Sequence, residues 1–115
     1  MPLLSFSGET YEGPFWKQIL NGKKTQTCRK PRKRPIKSGD SLSLYWKVRI
    51  PNAKKEIHYI GKATCVKVER KKYREFAFDD KFALKDGFHD SRELREWFGD
   101  PVVYGDEEYD VITFA

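Results

Sequence analysis

An alternation of apolar and polar side chains in the middle of the chain constrains the fold more than any other feature. From Ser41 to Val48 every second residue is apolar, which is typical of a β-strand that buries one face. Similar patterns predict further strands at residues 3–6, from about 25, and at 57–68, 73–78 and 109–114. In the strand at 57–68, Gly61 indicates a bulge or a close approach of backbone. The alternation there places four residues on one face, namely Ile60, Thr64, Val66 and Val68.

Three other stretches show the apolar period of a helix. They lie at about residues 14–20, 79–85 and 90–98, and each begins with a residue suited to a helix start. Asp90, followed by Glu93, resembles a capping box, and Gly99 ends that helix. Because strands crowd the middle of the chain without alternating with helices, we expect an α+β fold. The predicted architecture is one domain, residues 1–115, built on a mainly antiparallel sheet or a small, mostly antiparallel β-barrel, with short flanking helices.

The composition excludes several classes of protein. Aromatic residues make up 15% of the 115 residues, whereas disordered chains lack large apolar side chains. Two cysteines and two histidines, scattered along the chain, predict no metal site, and nothing implies a cofactor. The start of the chain does not resemble a signal peptide, and no apolar run approaches about 20 residues, so no membrane association is expected. The scattered cysteines favour a reducing, cytoplasmic location, and we expect a monomer.

Charge is strongly segregated along the chain. Residues 23–37 contain eight lysines and arginines and no acidic residue, whereas residues 86–110 contain nine acidic residues and two arginines. A basic segment of this kind neutralises phosphates and gains affinity from counterion release. The candidate phosphate contacts are Lys23, Lys24, Arg29, Arg32, Lys33 and Arg34. The alternative is a solvated loop, or one that pairs with the acidic segment.

Aromatic side chains accompany these cations. Tyr45 and Trp46 lie on opposite faces of one predicted strand, so both cannot enter the core. Tyr45, Tyr73 or Trp16 is therefore a candidate for stacking on a base, although most aromatics of so small a domain must fill its core. Cations near Cys28 would favour its thiolate, but a packed strand cysteine is the preferred interpretation.

An ordered set of motifs resembles the ASCH domain family. It begins with Ile19-Leu20-Asn21-Gly22-Lys23-Lys24-Thr25-Gln26-Thr27-Cys28-Arg29 and continues with Ile36-Lys37-Ser38-Gly39-Asp40. Gly61-Lys62-Ala63-Thr64-Cys65, Asp86-Gly87-Phe88 and the final Tyr109-Asp110-Val111-Ile112-Thr113-Phe114 follow in the same order. Each motif is weak alone, but together they cover nearly the whole chain.

The resemblance implies a PUA-like barrel that binds RNA or nucleosides in a cleft beside Gly22-Lys23-Lys24-Thr25. Small bacterial members are amidohydrolases that deacetylate N4-acetylcytidine, and their catalytic groups correspond to Lys24, Thr27 and Asp86. A threonine hydroxyl needs a base to take its proton, and a lysine can be that base if burial lowers its pKa. Lys24 and Thr27 are three residues apart, so they converge only if Lys24 lies in a turn before the strand.

Three functions follow from these residues. The first is a module that binds RNA or a nucleotide, with the candidate cations on phosphates and with Thr27, Tyr45 and Asp86 beside a base. The second is a metal-independent amidohydrolase acting on an N-acylated pyrimidine nucleoside. The third is a single-strand ribonuclease that uses the same lysine and threonine. In the simplest alternative Lys24 and Arg29 bind only phosphate, Thr27 is a strand former, and Asp86 caps or turns the chain at Gly87.

Overall fold

A curled, five-stranded mixed sheet forms the frame of the molecule. The computed structural model describes residues 2–46 and 58–115, without the side chain of residue 58. The strands are β1 (Leu3–Phe6), β2 (Glu9–Thr10), β3 (Gly13–Pro14), β4 (Gln26–Arg29), β5 (Ser41–Trp46), β6 (His58–Lys72) and β7 (Glu108–Phe114). The helices are α1 (Phe15–Leu20), α2 (Asp80–Lys85), α3 (Ser91–Phe98) and α4 (Pro101–Tyr104), with a 3-10 turn at Tyr73–Glu75.

The strand order within the sheet is β1-β5-β6-β7-β4. β1 runs parallel to β5, and the other neighbours in this sheet are antiparallel. The long strand β6 pairs with β5 along its first half and with β7 along its second half, which curls the sheet into a half-barrel. The α+β class predicted from the sequence is therefore confirmed. β2 and β3 form a separate two-stranded hairpin.

Two register shifts in β6 change which of its residues face the core. Leu44 and Tyr45 of β5 pair with Gly61 and Tyr59, so one extra residue separates the partners on β6. A second shift falls between Cys65 and Lys67. A bulge reverses the alternation beyond it. The predicted shared face is therefore wrong, because Thr64 and Val66 are exposed and Cys65 is buried.

The strand predicted at residues 73–78 is also wrong. The chain forms a 3-10 turn there, and Tyr73 and Phe76 are buried three residues apart on its inner side. Three residues make one turn of a 3-10 helix, so this spacing places both rings on the same side. Phe78 is exposed and lies against the guanidinium of Arg95. The end of the predicted strand at Val48, and the first residue of the strand predicted at 57–68, lie outside the described residues.

The three predicted helices are confirmed, and their ends follow from local chemistry. Asp79 accepts a hydrogen bond from the backbone N–H of Phe82 at the start of α2, and Asp90 accepts one from that of Glu93 at the start of α3. α4 was not predicted, although Asp100 followed by proline is a recognisable helix start. No helix among the described residues is long and apolar enough to cross a membrane.

An aromatic core joins the helices to the sheet. Phe76 stacks on Phe82 of α2 with ring centroids 4.5 Å apart, and Phe98 of α3 meets Tyr109 of β7 edge to face at 5.2 Å. Phe88 packs against Phe15 of α1 at 6.0 Å. These contacts hold α1, α2 and α3 over the open side of the half-barrel, and the candidate site lies where α1 and α3 meet its two edge strands.

Candidate nucleobase site

A cavity of about 220 Å³ opens between the edge strands β1 and β4 and the helices α1 and α3. Its lining combines hydroxyl, charged and aromatic side chains: Ser5, Phe6, Ser7, Phe15, Lys24, Thr27, Cys28, Arg29, Asp86, Phe88, Trp97 and Phe98. The structure therefore brings Lys24, Thr27 and Asp86 to a single cavity, together with Arg29. Their functional roles remain predictions.

Lys24 reaches the cavity because it lies in the turn between α1 and β4. Gly22 follows the helix with φ +80°, a left-handed conformation that glycine adopts at no steric cost. The carbonyl of Gln18 then accepts hydrogen bonds from the backbone N–H groups of Lys23 and Lys24, at 2.9 and 3.1 Å. β4 begins two residues later, at Gln26. This is the geometry required for Lys24 and Thr27 to border the same space.

Lys24 and Asp86 form a buried pair at the cavity. Lys24 Nζ lies 3.5 Å from Asp86 Oδ1 and donates a hydrogen bond of 2.5 Å to the Asp86 carbonyl. The ammonium also lies 4.6 Å from the centre of the Phe15 ring. Burial lowers the pKa of Lys24 in spite of the neighbouring carboxylate, and it raises the pKa of Asp86 to about 6 in spite of the neighbouring lysine. Both groups are thus shifted toward their neutral forms.

Asp86 has an unsatisfied oxygen. The residue ends α2 and is followed by Gly87 at φ +97°, so it also turns the chain there, as the simplest alternative expects. Its side chain is nevertheless almost fully buried, and Oδ1 has no hydrogen-bond partner among the described residues. A buried acceptor without a partner costs free energy. Oδ1 is shielded from solvent and faces the Lys24 ammonium at 3.5 Å, so the ion pair offsets part of this cost.

Arg29 connects Thr27 to the opposite edge of the sheet. Its Nε donates to Thr27 Oγ1 at 3.1 Å, and its Nη2 donates to the Ser5 carbonyl of β1 at 2.8 Å. Because the threonine oxygen accepts this bond, its own hydroxyl proton remains to be donated. Arg32 makes a similar bridge, since its Nη2 donates to the Leu3 carbonyl at 2.9 Å. Both arginines therefore bind backbone at the edge of β1.

The other predicted phosphate contacts lie outside the cavity. Lys23 is exposed and pairs with Glu12 at 3.0 Å. Lys33 and Arg34 are exposed in the loop after β4. Lys30 of the same loop forms an ion pair with Glu107, so the acidic segment neutralises part of the basic one. The lysine and arginine side chains before Gly39 are thus divided between the cavity, the edge of β1 and the open surface.

None of the three predicted stacking residues lines the cavity. Tyr45 lies on β5 with its ring 5.2 Å from that of Tyr59. Tyr73 is fully buried, and its hydroxyl donates to the Gly99 carbonyl at 2.6 Å. Trp16 packs partly buried against the core. Sequence analysis instead missed Trp97, which lines the cavity and is 52% exposed. The apolar period of α3 made it indistinguishable from a core residue.

The thiol of Cys28 is packed in the cavity wall. Burial raises its pKa well above the usual value, and this effect outweighs the nearby Lys24 and Arg29. Cys28 is therefore a protonated, packed cysteine, in agreement with the preferred interpretation of the sequence, and the nearby cations do not produce a thiolate. Among the described residues, no group of three His, Cys, Asp or Glu side chains is arranged to hold a metal ion.

Comparison with known proteins adds no relative. No family model matches the chain, and neither a curated protein nor a solved structure matches it. The ASCH resemblance of the sequence therefore remains an expectation, and the function is argued from the cavity itself.

Proposed function

We propose that the cavity binds a nucleobase, as part of a PUA-like, ASCH-type domain that binds RNA or a nucleotide. The observation that carries the proposal is the combination of aromatic walls with the buried Lys24–Asp86 ion pair, whose Oδ1 makes no hydrogen bond among the described residues. Ligand sites of this class bury an apolar body against aromatic groups and fix its orientation through a few polar groups. A base has this character, with flat apolar faces and hydrogen-bonding edges.

The proposed fold assignment rests on the curled sheet and its flanking helices. A half-barrel with α1 and α3 over its open side agrees with the PUA-like architecture implied by the sequence motifs. The proposed cleft also adjoins the segment that carries the first of these motifs, because Lys24, Thr27 and Arg29 of that segment all line the cavity.

The phosphate of the ligand would meet the loop that follows β4. Arg29 lies at the cavity and the loop continues with Arg32, Lys33 and Arg34. Lys33 and Arg34 are exposed, which suits long-range attraction of a polyanion. Arg32 already donates a hydrogen bond to the Leu3 carbonyl at the edge of β1. Its role is therefore more structural than that of Lys33 or Arg34.

A salt series tests binding directly. Affinity for single-stranded RNA, measured by fluorescence anisotropy, should fall steeply as salt rises. Replacing Lys33 and Arg34 together by alanine should reduce the slope of log Kd against log salt by about 1.4, the counterion release of two contacts to a single strand. Lys17→Ala is the matched control, since this exposed lysine lies on α1. Affinity that does not change with salt would contradict the proposal.

A second candidate is an amidohydrolase that cleaves an N-acylated nucleoside. It is favoured by one observation, the presence of Lys24, Thr27 and Asp86 on one cavity with the pKa of the lysine lowered by burial. In the described contacts the lysine bonds to Asp86 and the threonine to Arg29. The lysine would therefore take the threonine proton after a side-chain rotation or through a water molecule.

The chemistry of this candidate balances without a cofactor. The Thr27 oxygen attacks the acyl carbonyl while neutral Lys24 accepts the hydroxyl proton. The C–N bond then breaks, the lysine returns the proton to the departing amino group, and an acyl ester of Thr27 remains. Water, activated by the neutral lysine, hydrolyses the ester to release the carboxylic acid and restore the threonine. Asp86 would orient the lysine throughout.

Turnover distinguishes the two candidates. The enzyme should release acetate from N4-acetylcytidine, and Lys24→Ala or Thr27→Val should abolish this release. Thr25→Val is the matched control, because Thr25 lies in the same turn but does not line this cavity. Binding of nucleosides without any release of acetate by folded protein would leave the binding module and exclude this substrate.

A further inference from the structure

Trp97 is an exposed aromatic residue at the edge of the proposed base cavity. It lies on α3, lines the cavity, and leaves about half of its surface open to solvent. A tryptophan side chain that is half exposed contributes less to stability through burial than a fully buried one. Its position next to a site that accepts one planar group makes it a surface on which a neighbouring planar group can stack.

The indole is held in a fixed orientation by three neighbours. The rings of Phe15 and Phe88 contact it edge to face, with centroids 5.4 and 5.8 Å away. Gly8 passes so close that a Cβ added there would lie 2.7 Å from the indole Cη2. A ring that is already ordered loses little conformational entropy when a ligand stacks on it.

We propose that Trp97 is a stacking subsite for a second nucleobase, so that the preferred ligand is a single-stranded oligonucleotide of at least two nucleotides. This inference rests on the proposed base cavity. A nucleotide chain that places one base in the cavity brings the adjacent base to its mouth. Stacking on an aromatic side chain contributes about 1–3 kcal/mol per base and is tolerant of sequence.

The distribution of charge supports a nucleic acid that crosses the cavity mouth. α3 carries two arginines and two glutamates, so it provides no net attraction for phosphate. The basic loop after β4 lies on the strand side of the cavity, whose lining includes Arg29. Phosphates would therefore follow the β4 side while the second base contacts α3.

A protein partner is the competing occupant of this region. Val102 and Val103 of α4 are also exposed, and an apolar patch can bind another protein. Neither valine lines the cavity, whereas Trp97 does. The position of the indole at the proposed base site, rather than its exposure alone, favours the oligonucleotide.

The test compares ligands of increasing length. Nucleoside monophosphates, dinucleotides and hexanucleotides of each base are titrated against wild-type protein, Trp97→Ala and Trp97→Phe by calorimetry at one salt concentration. In the wild type we expect a dinucleotide to bind about 5- to 150-fold more tightly than its mononucleotide, the range given by the stacking energy. Because Trp97 also lines the base cavity, Trp97→Ala should weaken mononucleotide binding somewhat and dinucleotide binding much more, so that the gain is abolished, while Trp97→Phe should retain part of the gain.

Phe78→Ala is the matched control. This ring is 70% exposed, lies against Arg95 and does not line the cavity, so its loss should leave every affinity unchanged. Thermal unfolding confirms that each variant is folded.

Equal wild-type affinity for mononucleotides and dinucleotides would overturn the subsite and leave the proposed base cavity standing. An equal loss for all ligands in folded Trp97→Ala would also overturn it, as would a gain that persists without the indole. Absence of binding by any nucleotide would overturn the proposed function itself. If, in that event, wild-type protein binds a protein partner and Trp97→Ala does not, the surface around Trp97 is a docking site for a protein.

Discussion

At the scale of single residues, the buried pair of Lys24 and Asp86 is the costliest feature of the site. Removing two charges from water is expensive, and the attraction between them offsets this only when the geometry is good and every polar atom has a partner. Here the ammonium and Oδ1 are 3.5 Å apart and that oxygen lacks a hydrogen bond among the described residues. The pair therefore lowers stability at the cavity, and shifted ionisable groups of this kind are common at functional sites.

The ionisation of Asp86 should make stability depend on pH. Burial raises its pKa in the folded protein from 3.8 to about 6. The folded state thus holds the proton more tightly than the unfolded chain. The contribution of Asp86 to stability is full below the unfolded pKa and is lost as pH rises through about 6. Wild-type protein should accordingly lose stability relative to Asp86→Asn, which does not titrate, between about pH 4 and about pH 7.

Urea unfolding at a series of pH values measures this difference. The control is Asp80→Asn, because the pKa of Asp80, an exposed residue, is lowered rather than raised by its hydrogen bonds to Ser91. The difference in unfolding free energy between Asp80→Asn and wild type should change with pH in the opposite direction. Here the wild type gains stability as pH rises above the folded pKa of Asp80. A difference between wild type and Asp86→Asn that is constant with pH would contradict the shifted pKa.

Gly8 offers a second prediction at this scale. Its φ is +90°, and a Cβ at this position would lie 2.7 Å from the Trp97 ring. Gly8→Ala should therefore destabilise the protein by about 1–3 kcal/mol through backbone strain and a steric clash, and should shift tryptophan fluorescence. Gly13→Ala separates the two causes, because Gly13 has φ +109° but no atom within 4 Å of an added Cβ. If both variants lose the same stability and neither changes the fluorescence, the contact with Trp97 is unimportant.

At the scale of secondary-structure elements, the helices depend on their ends and on packing. The longest of them among the described residues, α3, has eight residues, which is too short to be stable in isolation. Its cap, Asp90, accepts the N–H of Glu93 at 2.9 Å, and the Glu93 side chain in turn accepts the N–H of His89 at 2.7 Å. These bonds fix the direction in which α3 starts, and with it the position of Trp97.

Removal of the cap should therefore be measurable. Asp90→Ala should lower the free energy of unfolding by about 1 kcal/mol, as is typical of a lost helix cap, whereas Asp90→Ser should restore most of it. Chemical denaturation followed by circular dichroism provides the measurement. Asp79→Ala is the matched variant for α2, since Asp79 accepts the N–H of Phe82 at 3.0 Å. Full stability of Asp90→Ala would show that packing alone defines the start of α3.

At the scale of the whole molecule, two guanidinium groups bridge the edges of the half-barrel. β1 and β4 are the outer strands of the sheet, and Arg29 of β4 donates to Ser5 of β1. Arg32, just beyond β4, donates to Leu3. The side chains thus occupy carbonyl groups that a closed barrel would pair with a neighbouring strand. The cavity lies beside this bridge, so closure of the sheet and the shape of the site are connected.

Native-state hydrogen exchange tests this bridge. Arg32→Ala removes the donor to Leu3 without changing a residue that lines the cavity. Amides of β1 should then exchange about fivefold faster, corresponding to about 1 kcal/mol for a hydrogen bond to a charged group that is partly exposed. Lys33→Ala, an exposed neighbour in the same loop, should leave these rates unchanged. Unaltered exchange in β1 of Arg32→Ala would show that pairing with β5 alone holds the strand.

The errors of the sequence-based interpretation have a common cause. In β6 the residue types are those of a strand, but bulges decide which side chains face inward, and a bulge depends on the partner strand. At residues 73–78 an apolar spacing of three was read as a strand because local sequence does not reveal the surface that Tyr73 and Phe76 cover. The exposure of Trp97 was not predicted, because a helical period identifies an apolar face without showing where that face ends.

The sequence by itself determined the α+β class, the helices α2 and α3 with their aspartate caps, and the segregation of charge. These features depend on neighbouring residues, whose backbone preferences and hydrogen bonds are local. Tertiary structure alone decided that Asp86, distant in sequence, meets Lys24, that Arg29 turns toward β1, and that Trp97 is left half exposed at the cavity. Those outcomes depend on which surfaces are brought together, and burial, which shifts both pKa values, exists only after the chain has packed.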